Sequence, residues 1–230
     1  MLRATGISKQ FLRVRKGTNI FTAVEQTNFE LQDGKFTVIT GRSGSGKSTF
    51  LSMLSGILTP TTGKVEFGDK SLYELDDKAL SKLRGEVFGF IPQGQSAIPS
   101  LTVLENVMLP YTLYGEGEDQ REYALSLLEQ FHILDLKDVM PSELSGGEMR
   151  RMAIARALIR KPAVVFADEP TGDLDDENTR LVFELLRKLA DDKTSVLMVT
   201  HEAEAKQYAD FLYHMYAGKL KAEAPGSEGK

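Results

Sequence analysis

The stretch Gly41-Arg42-Ser43-Gly44-Ser45-Gly46-Lys47-Ser48-Thr49 constrains this chain more than any other, since its glycines and closing Lys-Ser suit a loop wrapped around phosphate. An apolar, β-rich run, Phe36-Thr37-Val38-Ile39-Thr40, precedes it, and apolar residues at helical spacing, Phe50, Leu51, Met53, Leu54 and Ile57, come after it. The pattern therefore predicts strand, tight loop, helix, the context in which such a loop binds nucleotide. Glycine reaches positive φ without steric cost, so successive N–H groups of the loop can converge on phosphate oxygens at a helix N-terminus. Lys47 is positioned to neutralise β/γ-phosphate charge and the Ser48 hydroxyl to ligate Mg²⁺. A flexible Ser/Gly turn would have the same composition but would not need the strand before it and the helix after it.

The remaining composition narrows the setting. At 230 residues the chain can bury one substantial core, or one core with an appended lobe. With 41% hydrophobic and 27% charged residues it belongs to the ordinary globular class. A net charge of −5 argues against nucleic acid as the main partner, because binding a phosphate backbone leaves a basic footprint. Absence of cysteine removes disulfides and thiolate metal sites from consideration. No apolar run approaches the roughly 18 residues needed to cross a bilayer. Residues Met1 to Lys16 alternate polar with apolar, unlike a signal peptide. A cytosolic location is expected, with any membrane role arising through a partner.

Along the chain, Leu2 to Leu31 reads as short antiparallel strands, with Ala23, Thr27, Phe29 and Leu31 on a half-buried face and a basic turn at Arg13 to Asn19. Pro60 to Gly63 is a turn before a strand through Val65 and Phe67. Asp76 to Arg84 reads as a polar helix ending at Gly85, and Val87 to Ile91 as a buried strand. Thr102 and Glu105 have capping-box spacing at the start of an apolar helix. Ala124, Leu127, Leu128 and Phe131 mark the core face of the next, and a third runs from Gly146 or Gly147 through Lys161 to Pro162. Ala153, Ala155 and Ala157 on it suggest close packing. Strands at Ala163 to Ala167, Thr194 to Thr200 and Phe211 to Tyr216, alternating with helices, indicate an α/β fold with a parallel sheet covered on both faces. Lys221 to Lys230 reads as a disordered tail.

Two further constellations carry chemistry. Val164-Val165-Phe166-Ala167-Asp168-Glu169-Pro170 is an apolar strand delivering two carboxylates at its C-terminal end, where open α/β sheets bind ligands. Asp168 beside the phosphate loop would hold Mg²⁺, and Glu169, expected on the opposite side of the strand, could polarise a water. Leu144-Ser145-Gly146-Gly147-Glu148 opens a long helix with free N–H groups, a hydroxyl and the positive end of the dipole. By composition Ser145 is more readily a plain N-cap than an anion ligand, because capping serines are common.

Taken in chain order, these motifs resemble those of the ATP-binding-cassette ATPases: Gly41 to Ser48 as Walker A, Gln93 after a strand as the Q-loop, and Leu144 to Glu148 as the signature. Val164 to Glu169 would be Walker B with its glutamate, Gly172-Asp173-Leu174-Asp175 the D-loop and His201 the switch histidine. The likeness runs from about Leu2 to Leu220. It implies an α/β P-loop NTPase fold: a RecA-like parallel-sheet core, an N-terminal antiparallel β lobe and an α-helical lobe inserted at about 94–160, all in one domain of residues 1–220. It further implies two cassettes stacked head to tail around two ATP molecules. Each ATP would be held by Gly41 and Ser43, Gly44, Ser45, Gly46, Lys47, Ser48 and Thr49 of one subunit and by Ser145, Gly146 and Gly147 of the other, with Asp175 of the D-loop among the contacts. Ser48, Gln93 and Asp168 would complete the Mg²⁺ shell. Glu169 would act as general base, His201 would contact the γ-phosphate, and Lys47 and Gln93 would join them in the catalytic set. Phe11 stands where the family has an adenine-stacking aromatic, usually Tyr, although a lone Phe is more often a core residue. The signature ends in Glu148 where Gln is frequent, a change expected to lie outside the phosphate-contacting atoms.

Within the family, Phe90 to Gln93, Leu101 to Val107 and Asp168 to Asp175 resemble the ATPase subunits of lipoprotein release, macrolide and peptide export, and cell-division signalling, with Asp173 where Asn is usual. That likeness implies an integral membrane permease with few transmembrane helices as partner, an ATP-dependent homodimer, and a peripheral place on the inner face of the membrane. Ile98 to Tyr111 would either line the permease groove or belong to the helical core. The alternative, a soluble cassette ATPase of DNA repair or chromosome organisation, would carry long coiled-coil insertions, and no sustained heptads separate loop from signature here. A non-hydrolysing module would be expected to lose at least one of Lys47, Asp168, Glu169 and His201.

Overall fold

Runs with few charges and many β-branched residues form strands buried on both faces, and three of them make the centre of the fold. A computed structural model describes residues 1–12, 20–94, 96–114, 120–172 and 174–223. In it β3 (Phe36–Thr40), β7 (Val164–Asp168) and β8 (Ser195–Thr200) are buried along their whole length. They belong to a six-stranded sheet ordered β10-β9-β3-β8-β7-β6, with β6 at Phe88–Ile91, β9 at Phe211–Tyr216 and β10 at Lys219–Glu223. All pairings are parallel except that of β9 with β10. Successive side chains serve opposite faces: Val165 and Ala167 join one core, Val164 and Phe166 the other.

The first core holds the helical lobe, α3 (Val103–Tyr114), α4 (Arg121–Gln130) and α5 (Gly146–Leu158), together with α6 (Asp176–Asp191). The expected capping box opens α3: Thr102 N–H donates to Glu105 at 2.8 Å and Glu105 N–H to the Thr102 hydroxyl at 3.3 Å. Ala124, Leu127, Leu128 and Phe131 are all buried in this core. The second core lies between α1 (Lys47–Leu54), the central sheet and an antiparallel sheet ordered β2-β1-β4-β5, with β1 at Leu2–Leu12, β2 at Ile20–Leu31, β4 at Thr62–Phe67 and β5 at Lys70–Ser71. Edge-to-face rings tie it together, Phe29 on Phe50 at 5.4 Å and Phe88 on Phe166 at 5.2 Å.

Several boundaries differ from those expected of the sequence, for identifiable reasons. β1 and β2 are two long strands, not several short ones, and the turn expected at Arg13 to Asn19 lies outside the described residues. Ala23 and Val24 are both buried because the pairing slips between Lys9↔Val24 and Gln10↔Thr22, leaving Ala23 in a bulge. α1 stops at Leu54, so Ile57 is 52% exposed; Gly56 turns at φ +73° and the N–H groups of Ile57 and Leu58 both return to Ser52 O. α2 (Asp77–Val87) runs through Gly85 and passes directly into β6. α5 ends at Leu158, three residues early, where Lys161 adopts φ +50° and its N–H closes onto Leu158 O. Of the tail expected from Lys221, the part as far as Glu223 belongs to β10, and the rest lies outside the described residues. In β10 Leu220 packs on the second core and Glu223 pairs with Lys206 at 3.1 Å. Among the described residues, no helix is long and apolar enough to cross a membrane.

Close packing of the alanine-bearing helix on the sheet is visible at Gly89, where a Cβ would lie 2.6 Å from the carbonyl oxygen of Ala157. Gly89→Ala is expected to cost roughly 1–3 kcal/mol by forcing α5 off β6. Urea denaturation should give a lower midpoint at unchanged slope.

Candidate nucleotide site

Parallel pairing brings the carboxyl ends of four strands level. Thr40 lies beside Thr200, Val199 beside Asp168, and Ala167 beside Ile91. The segments leaving these strands are therefore gathered at one edge: the loop from Gly41, Gln93, Glu169 and His201. Two adjoining cavities open there. One, of about 240 Å³, is lined by Ser43, Gly44, Gly46, Lys47, Ser48 and Thr49 together with Gln93 and Glu169. The other, of about 560 Å³, shares Ser43, Gln93 and Glu169 and adds Gly41, Arg42 and His201.

The loop is clamped from outside. Gly46 caps α1 at φ +107°, and a Cβ on it would collide with the Ala23 carbonyl; one on Gly41 would collide with that of Met215. Only glycine lets β2 and β9 approach this closely. Gly218 N–H donates to Ser45 O at 2.9 Å, so the β9–β10 turn grips the loop as well. Ser45 is buried, and its hydroxyl has no hydrogen-bond partner among the described residues.

Inside the loop, the buried Lys47 ammonium donates to Gly41 O at 2.9 Å and stands 3.1 Å from Glu169 Oε1. The second Glu169 oxygen accepts from His201 N–H at 3.1 Å and lies 2.8 Å from His201 Nδ1. Ser48 donates its hydroxyl to Asp168 Oδ1 at 2.8 Å. Burial pushes the Asp168 carboxyl above the ordinary range, while the Ser48 hydrogen bond pulls the other way. One expectation changes here. Glu169 does not continue the strand's alternation; it comes after β7 in a left-handed conformation, φ +46°, with its N–H bonded to Val199 O. That uncommon backbone brings its carboxylate to the same edge as Asp168.

Two further residues stand differently from the expectation. Phe11 is 38% exposed, with Lys9 Nζ 5.4 Å from its ring centre, and lines neither cavity. Its cross-strand partner Phe21, which the sequence alone does not single out, lines the smaller one. The signal is present in the alternation of β2, but the bulge at Ala23 obscures it. Glu148 is not remote from the signature serine: its Oε2 accepts from Ser145 N–H at 2.7 Å and from the Ser145 hydroxyl at 2.8 Å, and these bonds hold the Glu148 carboxyl below its ordinary range.

Ser145, Gly146 and Gly147 line neither cavity. Ser145 caps α5 and is exposed, as is Gly146. Asp175 is likewise exposed and caps α6 by accepting from Asn178 N–H at 2.8 Å. Asp173, in the expected D-loop, lies outside the described residues.

A glycine-rich loop between parallel strand and helix, with lysine, hydroxyl and carboxylates converging on it, defines a P-loop nucleoside triphosphatase. Comparison with known proteins narrows the class. Residues 24–172 match the family model described as ABC transporter. The chain is 39% identical over 219 residues to the lipoprotein-releasing system ATP-binding protein LolD of Treponema denticola, covering 94% of this chain and 96% of the relative. It is 38% identical over 229 residues to the protein of that name in Xanthomonas axonopodis pv. citri, covering 99% and 93%. The dimeric bacterial ABC transporter cassette MJ0796 superposes with a TM-score of 0.88 at 32% identity, over 96% of this chain and 98% of that one. Its post-hydrolysis dimer with ADP and Pi gives 0.87 at 31% identity, over 99% and 100%. This chain belongs to the ABC transporter family, as an ATP-binding and ATP-hydrolysing subunit. The expected fold and activity are borne out, and the soluble DNA-repair alternative is not favoured.

The Lys47–Glu169 pair yields a test. Both side chains are less than a tenth exposed, so removing one charge strands the other in a poorly solvated site. In protein purified without nucleotide, Lys47→Ala is expected to lose roughly 3 kcal/mol of stability. Adding Glu169→Gln should recover most of it, and urea titration of the single and double variants reads the coupling.

Proposed function

We propose that this chain is the ATPase of a lipoprotein-releasing type of transporter, acting as an ATP-clasped homodimer on the cytoplasmic side of an integral membrane permease with few transmembrane helices. Likeness to the LolD proteins over nearly the whole of both chains supports the transporter type. One observation carries the dimer: the phosphate loop gathers Lys47, Ser48, Asp168 and Glu169, whereas Ser145 and Gly146 are exposed and line neither cavity there. A signature turn presented outward suits the nucleotide of a second subunit, and a dimeric cassette among the structural neighbours agrees with that.

The chemistry rests on the side chains. Backbone N–H groups of Ser43 to Thr49 and the Lys47 ammonium bind the β- and γ-phosphates. Ser48 and Asp168, 2.8 Å apart, are hard oxygen donors that fit Mg²⁺, and the exposed Gln93 amide can complete the set. Bound there, Mg²⁺ would supply charge neutralisation on the phosphate oxygens. An arriving γ-phosphate competes with Glu169 for Lys47 and so frees the carboxylate to accept a proton from the attacking water. His201, which holds the other Glu169 oxygen, then orients the carboxylate and reaches the γ-phosphate. A phosphate gripped by two subunits makes closure depend on ATP, and hydrolysis removes the bridge.

For the permease contact, Val103, Leu104 and Val107 belong to the core, while Ile98 is 39% exposed. Two hollows of about 260 and 200 Å³ share Gly85, Phe88 and Phe90; Ile57 lines the larger, and Pro110, from the expected segment, lines the smaller. We infer that a permease helix fits this apolar groove.

Glu169→Gln should lower steady-state hydrolysis by roughly a hundredfold or more while leaving an ATP-dependent dimer in sedimentation. Undiminished turnover would remove Glu169 from the role of base. Ser145→Ala should impair hydrolysis with little change in ATP affinity of the dilute monomer; equal loss of both would put the signature in its own subunit's site. For the transporter type, membranes carrying a lipoprotein-releasing permease that binds this chain should release bound lipoprotein on ATP addition, and should not when the chain carries Glu169→Gln.

A further inference from the structure

The side chain of Asn178, in the first turn of α6, does more than its position requires. Asp175 already caps α6 through the Asn178 backbone N–H. The Asn178 amide additionally donates to both Asp175 oxygens, at 2.9 and 3.0 Å, and its Oδ1 accepts from Arg151 Nη1 of α5 at 2.8 Å. It also lies directly against the signature turn: a Cβ on Gly147 would fall 2.6 Å from Asn178 Oδ1. A side chain at the second signature glycine would therefore push this amide aside within its own subunit.

Arg151 makes the junction costly to break. Its Nε is buried without a hydrogen-bond partner among the described residues, so the guanidinium depends the more on Asn178. The same helix reaches the Gln93 segment from its other side, with Arg150 Nη1 donating to Pro92 O at 2.8 Å and Arg156 Nη1 to Ser96 O at 2.7 Å. α5 thus carries the signature at one end, holds the chain flanking Gln93 along its length, and meets α6 at Asn178.

We propose that Asn178 is a positioning residue for ATP hydrolysis: its amide bolts the signature turn to the first turn of α6, so that Ser145 and Asp175 advance on a second subunit's nucleotide as one body. This rests on the composite site of the proposed function. Without the bolt, closure must order two separate elements, and the entropy of that ordering falls on the hydrolysing state instead of being met on folding. Asn178, Arg151 and Asp175 line neither cavity beside the phosphate loop, so monomer binding should be spared.

The experiment measures kcat, ATP affinity of the dilute monomer, and ATP-dependent dimerisation in a Glu169→Gln background. Asn178→Leu, similar in volume and unable to bridge, should lower kcat at least tenfold and weaken the dimer, with monomer affinity changed less than twofold. Asn178→Thr, whose hydroxyl can both accept from Arg151 and donate to Asp175, should recover most of the loss. Arg151→Met removes the bridge from the other side, and Arg151→Met with Asn178→Leu should be no worse than the more severe single variant. If Asn178→Leu fails to fold, Arg151→Met alone carries the test. Unchanged kcat, multiplicative losses in the double variant, or a loss that Asn178→Thr does not relieve would overturn the proposal. Ser145→Ala run in parallel separates the two ideas: if it too leaves kcat and dimerisation intact, the composite site itself is wrong, whereas loss there with intact Asn178→Leu rejects only the bolt.

Discussion

The pairing of Lys47 with Glu169 is the interaction on which the site depends. Two opposite charges, each less than a tenth exposed, sit 3.1 Å apart at the edge of a sheet whose interior is hydrocarbon. Desolvating such a pair costs much of what its attraction returns, so it is poor evidence of design for stability alone. Its value lies in what can replace it. Under the proposed mechanism, phosphate would offer Lys47 a stronger acceptor than the carboxylate and would release the carboxylate where a water is to be activated. On that proposal the buried pair would be a switch between storing the base and using it.

That switch needs its parts on different strands to meet within a hydrogen bond, and the sheet supplies this. Lys47 lies beyond β3, Glu169 beyond β7 and His201 beyond β8, three strands adjacent in the order β3-β8-β7. Because they are parallel and in register, their carboxyl ends coincide, and because both faces are buried, the register is held by the alternation of side chains into two cores. A slip of one residue on β7 would exchange Val164 and Phe166 for Val165 and Ala167 in the second core and carry Glu169 away from Lys47. The precision of the site is thus a consequence of packing several residues distant from it.

Legibility in the sequence tracks the range of the forces involved. The loop at Gly41 to Thr49, the strand at Val164, the α3 capping box and the core face of α4 are readable because each is specified by neighbours within a few residues. The features that escape are decided by distant contacts. The bulge at Ala23 comes from cross-strand pairing, and it hides Phe21. β10 exists because β9 lies beside it and Leu220 finds a core, neither of which shows in the polar composition of Lys221 onward. The left-handed turn at Glu169 cannot be inferred from an apolar run that predicts simple alternation. Glu148 is different: by motif it is a peripheral substitution, yet a residue three positions after a capping serine reaches back to it by the ordinary geometry of a helix start.

The two helix starts of the composite site differ in kind, and the difference explains their assignment to separate subunits. At α1 the N-terminus faces a cavity walled by Phe21 and Ala23 of β2, Gln93 and Glu169. At α5 the first turn is exposed, Ser145 is satisfied by Glu148, and the turn leans on Asn178. On the proposed composite site, a nucleotide would bind to one subunit through α1 alone, whereas α5 would contribute only when a second subunit brings phosphate to it and competes with Glu148 for the serine. The same proposal puts binding before closure, and makes closure the step that the Ser145–Glu148 contact and the Asn178 junction would govern.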